Sequence, residues 1–235
     1  MLTTTKNCCL FFNHTKKCYI CTSRHRETLP ICNGCFNDLP WLVNTCPRCA
    51  LPLTPPYNKN SPCGQCLKKP PAYHQIRAAF AYNFPINIMI MKAKFNNKVH
   101  YLRLLSLLFA QQLSDSEQPD LIVPVPIHPQ RLLRRQYNQA SLIARHLSRQ
   151  LHTPYSDALL SKVINTEQQS QLDAQDRKRN IRGSFSCLSK PPAHIALVDD
   201  VVTTGATVNE LARVLKQAGC QRVDVWALAR TGKED

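Results

Sequence analysis

The chain has 235 residues, with 30 Lys and Arg against 15 Asp and Glu, a formal charge of +15 at neutral pH. Because 43% of its residues are hydrophobic and only 19% charged, it can bury a core; this excludes a disordered charged tail and leaves room for one domain of ordinary size plus a small appendage. So basic a chain attracts polyanions, either nucleic acid or anionic lipid.

Near the start, the CCLFF stretch is too short for a signal peptide, and no apolar run reaches the roughly 18 residues that span a bilayer. The expectation is a cytoplasmic chain that is not an integral membrane protein. Of 12 cysteines, eight form four C-x-x-C pairs: Cys18/Cys21, Cys32/Cys35, Cys46/Cys49 and Cys63/Cys66. Two thiolates three residues apart on a tight turn face one side, and two such turns close a tetrahedral cage around Zn²⁺. Eight ligands predict two structural zinc ions, most simply with sequential pairs sharing an ion, although spacing alone leaves crossed pairings open. Iron–sulfur ligation is the chemical competitor. An all-thiolate cage has no open position for water or substrate, which argues against a catalytic zinc, and a disulfide framework fits the spacing less well. Pro-rich stretches at 51–56 and 69–71 then mark a linker, so the expected organisation is a cysteine-rich zinc module over 1–72 and a second domain over 73–235.

The second domain opens with a short alternating strand at 79–82 and a helix-rich stretch over 86–113, interrupted at Asn96-Asn97, in which Leu102, Leu105, Phe109 and Leu113 recur at helical spacing as a core stripe. A buried strand is predicted over 121–126 and an amphipathic helix over 137–151. A strand over 194–198, a helix from about Ala206 stopping at Gly219, and a strand over 222–229 follow. Strand and helix in alternation predict an α/β fold, a doubly wound parallel sheet whose ligand crevice lies at the carboxyl ends of the strands.

One such end carries unusual chemistry. After the apolar strand come Asp199 and Asp200, and then Thr203-Thr204-Gly205-Ala206-Thr207 leads into a helix. Free backbone N–H groups at the helix start, together with the threonine hydroxyls, suit a phosphate, and Gly205 is expected to let the backbone approach a ligand closely. Two adjacent carboxylates would repel a second phosphate but accept hydrogen bonds from vicinal hydroxyls. A sugar phosphate satisfies both halves.

This VDDVVTTGAT stretch resembles the 5-phosphoribosyl-1-diphosphate motif of type I phosphoribosyltransferases. The segment Val123 to Ala140, with Arg131, Arg134, Arg135, Tyr137, Asn138 and Gln139, resembles a loop of the ComF family, with Gln136 where the family's pattern has glycine. A third stretch, Gln168–Leu172 followed by Arg177, Lys178, Arg179, Arg182, Gly183 and Phe185, resembles that family's flexible loop; Lys92, Lys94 and Phe95 are similar to its lysine-aromatic element, or fit an exposed helix end. By this resemblance the fold is a zinc module joined to a phosphoribosyltransferase-like domain. The family's members are competence proteins handling DNA that enters as a single strand. Asp199 and Asp200 would hold the ribose hydroxyls in the catalytic position, and Thr203, Thr204, Gly205, Ala206 and Thr207 the 5′-phosphate. Arg131, Arg134 and Arg135 would face the diphosphate or a nucleic-acid backbone, joined on the DNA by Arg177, Lys178, Arg179 and Arg182. The implied partners are single-stranded DNA, phosphoribosyl diphosphate with Mg²⁺ and other DNA-uptake proteins, in the cytoplasm or peripherally at the inner face of the membrane. An active phosphoribosyltransferase acting on a nucleobase or related acceptor is the alternative, although no base-recognition hood is identifiable in the sequence.

Overall fold

A computed structural model describes residues 15–55, 58, 61–164 and 183–232, with the side chain of Arg134 left out. By its internal contacts the chain divides into two units, Met1–Leu39 and Pro40–Asp235. In the smaller unit two-residue strands β1 (Lys16–Lys17) and β2 (Arg24–His25) pair antiparallel, and α1 (Asn33–Asn37) follows Cys32. These elements are too short to stand on their own hydrogen bonds, as expected where thiol chemistry rather than a hydrophobic core holds the chain.

The larger unit begins with the second pair of cysteine turns and α2 (Gly64–Lys68). Its centre is a four-stranded, wholly parallel sheet in the order β3 (Gln75–Ala81), β8 (Arg222–Arg230), β7 (His194–Val202), β4 (Leu121–Pro124). The connections run through α3 (Ile86–Phe95), α4 (His100–Leu113), α5 (Pro129–Arg135), α6 (Gln139–Leu151) and α7 (Ala206–Gln217). An antiparallel pair, β5 (Leu160–Lys162) and β6 (Phe185–Cys187), stands outside the main sheet.

Both faces of the sheet are covered, which is why its strands read as continuous apolar runs. Ile195, Leu197, Val223 and Val225 form one core with Val208, Leu211 and Leu215 of α7. The alternate residues Ala196, Val198, Trp226 and Leu228 are buried as well, on the side where α4 and α6 pack against each other and the strands. The predicted stripe Leu102, Leu105, Phe109 and Leu113 is at most 1% exposed. Neither edge of the sheet is free. Trp41 bridges Phe80 antiparallel, the Leu42 amide donates to Ala79 and the Ile76 amide to Arg48, so the segment leading through the third cysteine turn lies along β3. At the other edge, the Ile122 amide donates to Pro154 and the Ser156 amide to Ile122.

The structure also adds elements to the sequence reading. The loop expected over 123–140 contains α5, capped by His128, whose ring accepts from the Gln130 amide at 3.3 Å, with Pro129 in the first helical position. α6 starts two residues later than expected because the Asn138 side chain caps it, accepting from the Ala140 amide at 3.0 Å. β7 runs on to Val202, so both acids sit within the strand.

Candidate functional site

The cysteines gather into two tetrads, Cys18/Cys21/Cys32/Cys35 in the smaller unit and Cys46/Cys49/Cys63/Cys66 in the larger, each with its sulfurs within 4.8 Å of one another. This is the sequential arrangement. Cys21 and Cys32 sulfurs lie 3.7 Å apart, as do those of Cys49 and Cys63. A disulfide needs about 2.05 Å, whereas the edge of a ZnS₄ tetrahedron with bonds of about 2.3 Å is about 3.8 Å. Electrostatics agrees with a donor set built for a dication. The Ser23 hydroxyl and amide draw the Cys21 thiol down to about 6. Burial pushes Cys46 up, but the amides of Cys63, Cys49 and Arg48 overcome it and bring the thiol to about 7. Burial and the neighbouring thiolates push Cys35 and Cys66 far above the ordinary thiol range. One thiolate in each tetrad thus forms readily and opposes the next, a conflict that a bound Zn²⁺ removes; the donor sets fit zinc.

At the carboxyl end of β7, Asp200 is 7% exposed and pairs with Lys94 of α3, Nζ to Oδ2 at 2.7 Å. Its amide donates to Asp199 Oδ1 at 2.9 Å. Burial, then the charge on Asp200, raises the Asp199 carboxyl to about 7, with Lys94 opposing. Two carboxylates this close cannot both ionise freely, and Lys94 is the charge that lets one of them do so.

The turn that follows exposes Thr203 and Thr204, and Thr204 Oγ1 accepts from the Ala206 amide at 3.3 Å, just ahead of α7, whose N-cap is Gly205. Gly205 corrects an expectation. It is buried, not open to a ligand: a Cβ there would lie 3.6 Å from the Tyr73 hydroxyl. Glycine is needed because φ is +79°, a left-handed conformation that costs other residues about 1 kcal/mol or more. The surface offered to an anion is therefore Thr203, Thr204 and the half-buried Ala206 and Thr207.

Lys94 also lines a cleft of about 480 Å³ with Phe95, Asn97, Arg131, Arg135, Gln136 and Tyr137. The Arg135 guanidinium sits 5.5 Å over the Phe95 ring, and the Tyr137 hydroxyl donates to the Ala93 carbonyl, fixing the cleft wall to α3. Gln136, at the place of the family's glycine, caps α5 with φ of +64°; the left-handed position is kept although the residue is not glycine. The structure thus brings Arg131 and Arg135 together with Lys94 and, through it, Asp200. The Arg134 side chain and Arg177, Lys178, Arg179 and Arg182, together with Gln168–Leu172, lie outside the described residues.

Sequence reasoning missed two features. Beyond Phe95, already singled out with Lys92 and Lys94, Phe84, Ile88 and Met91 are exposed apolar side chains at or just before α3; the two phenylalanines are 71% and 64% exposed, and Lys92 and Lys98 are exposed nearby. The spacing of the four apolar residues, four, three and four, was the available signal. The second is Arg230, 3% exposed at the end of β8, which donates to the carbonyls of Cys49, Val202 and Thr203. A lone cation closing an apolar strand was its only trace in the sequence.

Residues 10–67 match the double zinc ribbon domain family, and residues 137–234 match the phosphoribosyl transferase domain family. The DNA utilization protein YhgH of Escherichia coli (strain K12) is 36% identical over 208 residues, which cover 86% of this chain and 90% of that protein. Competence protein F of Haemophilus influenzae is 34% identical over 231 residues, 94% of this chain and 98% of its own. Competence protein ComFC of Bacillus subtilis is 26% identical over 205 residues, 80% and 79% of the two chains. A solved purine phosphoribosyltransferase from Pyrococcus horikoshii covers 57% of this chain and 86% of its own at 14% identity and a TM-score of 0.37, too distant a likeness to bear on the fold. Among the described residues no helix is long and apolar enough to cross a membrane.

Proposed function

The chain belongs to the ComF family of competence proteins, a double zinc ribbon joined to a phosphoribosyl transferase domain, and on that premise we propose that it handles incoming single-stranded DNA in the cytosol and binds phosphoribosyl diphosphate at the carboxyl end of β7. One observation carries the reading: the acid pair and a basic cleft share Lys94, whose ammonium reaches Asp200 and which also lines the cleft, and the threonine turn follows those acids directly in the chain.

For the sugar phosphate, Thr203, Thr204 and the first amides of α7 take the 5′-phosphate, and Asp199 and Asp200 accept from the ribose 2′ and 3′ hydroxyls. Arg131 and Arg135 face the diphosphate, whose charge Mg²⁺ would share. For the single strand, rings stack on unpaired bases while cations track phosphates. Phe84 and Phe95 are exposed rings; Lys92, Lys98 and Arg135 are the neighbouring cations. Zinc in each tetrad holds the ribbons. Other DNA-uptake proteins, and a peripheral place at the inner membrane face, follow from the competence role rather than from any surface described above.

Titration of a labelled oligonucleotide at several salt concentrations tests the DNA half. Affinity should fall steeply with salt, with a slope that counts phosphate contacts; a salt-insensitive or undetectable interaction refutes it. Calorimetry with phosphoribosyl diphosphate and Mg²⁺, on the parent and on Asp199→Asn/Asp200→Asn, tests the other half, and transformation frequency in the same variant joins the two.

A second reading, transfer of the phosphoribosyl group to a nucleobase or related acceptor, is favoured by the cleft itself, where Phe95 and Tyr137 offer an aromatic wall beside the acids. Diphosphate release that depends on both Mg²⁺ and an added base, and disappears in Asp200→Asn, would establish it.

A further inference from the structure

One buried cation stands between the second cysteine tetrad and the threonine turn. The Arg230 Nε donates to the carbonyl of Cys49 at 3.0 Å, and Nη1 donates to the carbonyls of Val202, at 3.0 Å, and of Thr203. A guanidinium removed from water and bonded to neutral carbonyls is costly unless negative charge lies close by. The loaded tetrad supplies it: four thiolates around one dication leave a net charge of −2, and Cys49 is one of those ligands. A second arm runs along the chain. Beyond Cys66, the Ala72 amide donates to Asn209 Oδ1 of α7 at 2.7 Å, and the Tyr73 hydroxyl lies 3.6 Å from where a Gly205 side chain would begin. The first arm ends on Val202 and Thr203, and the second on Gly205 and on Asn209, whose backbone amide donates to the Gly205 carbonyl, so the two meet at the anion-facing turn. The larger unit contains all of these groups.

We propose that the Cys46/Cys49/Cys63/Cys66 tetrad, loaded with zinc, braces the Val202–Gly205 turn through Arg230, so that metal occupancy and sugar-phosphate binding are coupled. Arg230 is a positioning residue: it touches neither ligand and holds the carbonyl side of the turn while the hydroxyl side faces outward. Its ligand arm rests on the phosphoribosyl reading of that turn; its structural arm does not. Coupling of this kind is reciprocal, so a ligand on the turn must retain the metal as strongly as the metal retains the ligand.

Hydrogen exchange on the full-length, zinc-loaded protein tests the structural arm, read on peptides spanning Val202 to Val208. Cys66→Ser, Arg230→Lys and partial chelation of the parent protein should each raise exchange in that segment about tenfold or more. Combining Cys66→Ser with Arg230→Lys should add little to Cys66→Ser alone, since the Arg230 arm is one of the two that loss of the tetrad already releases. Loss of one zinc with unchanged exchange in the turn, or full additivity of the two substitutions, overturns the brace. Chelation of the parent protein keeps the test valid should either variant fail to fold. The ligand arm is read by competition for zinc with a chromogenic chelator. At equilibrium with the chelator, phosphoribosyl diphosphate should raise the apparent affinity for one of two ions by about fivefold or more in the parent protein. It should not do so in Arg230→Lys, which keeps the charge and the zinc content but loses the fork that spans both carbonyl sets. Unaltered zinc affinity despite calorimetric binding overturns the coupling. Absence of calorimetric binding to the parent protein refutes the phosphoribosyl reading and the ligand arm, and leaves the exchange experiment to decide the brace alone.

Discussion

Replacing Lys94 with methionine should destabilise the protein, and by an amount that depends on pH. The ammonium lies 2.7 Å from Asp200 Oδ2, with side-chain exposures of 21% and 10% for the two partners. At an effective dielectric of about 20 the attraction is roughly 6 kcal/mol before desolvation. Removing one partner of a buried pair typically costs about 3–5 kcal/mol, and the residual exposure brings the expected loss to about 2–3 kcal/mol. The pH dependence comes from Asp199. Its carboxyl is raised from 3.8 to about 7 by burial and by Asp200, with Lys94 opposing. Between those values the folded chain holds a proton that the unfolded chain has lost, so stability falls as pH rises from about 4 to about 7 and is then level. Without Lys94 the carboxyl rises further, and the fall continues to higher pH. Urea unfolding of zinc-loaded protein at pH 6 and pH 8 should therefore show a penalty for Lys94→Met about 1 kcal/mol larger at pH 8. An equal penalty at both pH values, or one below about 0.5 kcal/mol, would refute the placement of Lys94 as the charge that relieves the two acids.

Three further outcomes follow from the geometry. Gln136→Gly should stabilise the protein by about 0.5–1 kcal/mol, visible as a rise of a few degrees in Tm, because the left-handed C-cap of α5 suits glycine; a lower Tm contradicts this. Phe95→Ala should weaken single-stranded DNA binding by about 1–3 kcal/mol without changing the salt slope, whereas Arg135→Ala should reduce that slope by about one. Equal slopes for the two variants would remove the division of labour between ring and cation. Elemental analysis should find two zinc ions per chain, falling to one in Cys21→Ser; a parent value of one would mean that only one tetrad binds metal.

Much of this architecture was legible because its signals are local. Short apolar runs and 3.6-residue stripes located the four sheet strands and α4, α6 and α7, and C-x-x-C spacing named all eight thiols of the tetrads. The acids and threonines of the turn stood out by composition alone. What escaped was either short or tertiary. β5 and β6 have three residues each, too few for a period to show. α5 follows a histidine cap instead of Ser, Thr, Asp or Asn, and so read as a loop. Gly205 was identified for the wrong reason, since spacing cannot tell a glycine that admits a ligand from one required by a left-handed φ. The bonds of Arg230 to Cys49 and Val202 join residues 181 and 28 positions apart, and no window along the chain contains them.

The chain segment through Trp41 and Arg48 lies against β3, the outer strand of a parallel sheet. An outer strand left bare is a template for pairing with another molecule. A zinc ion shaping the third cysteine turn would therefore also keep one protein molecule from adding to the next. Starved of zinc, this chain should leave solution as β-rich aggregate, and the copy number available to the cell would track metal supply even where the sheet itself remains intact.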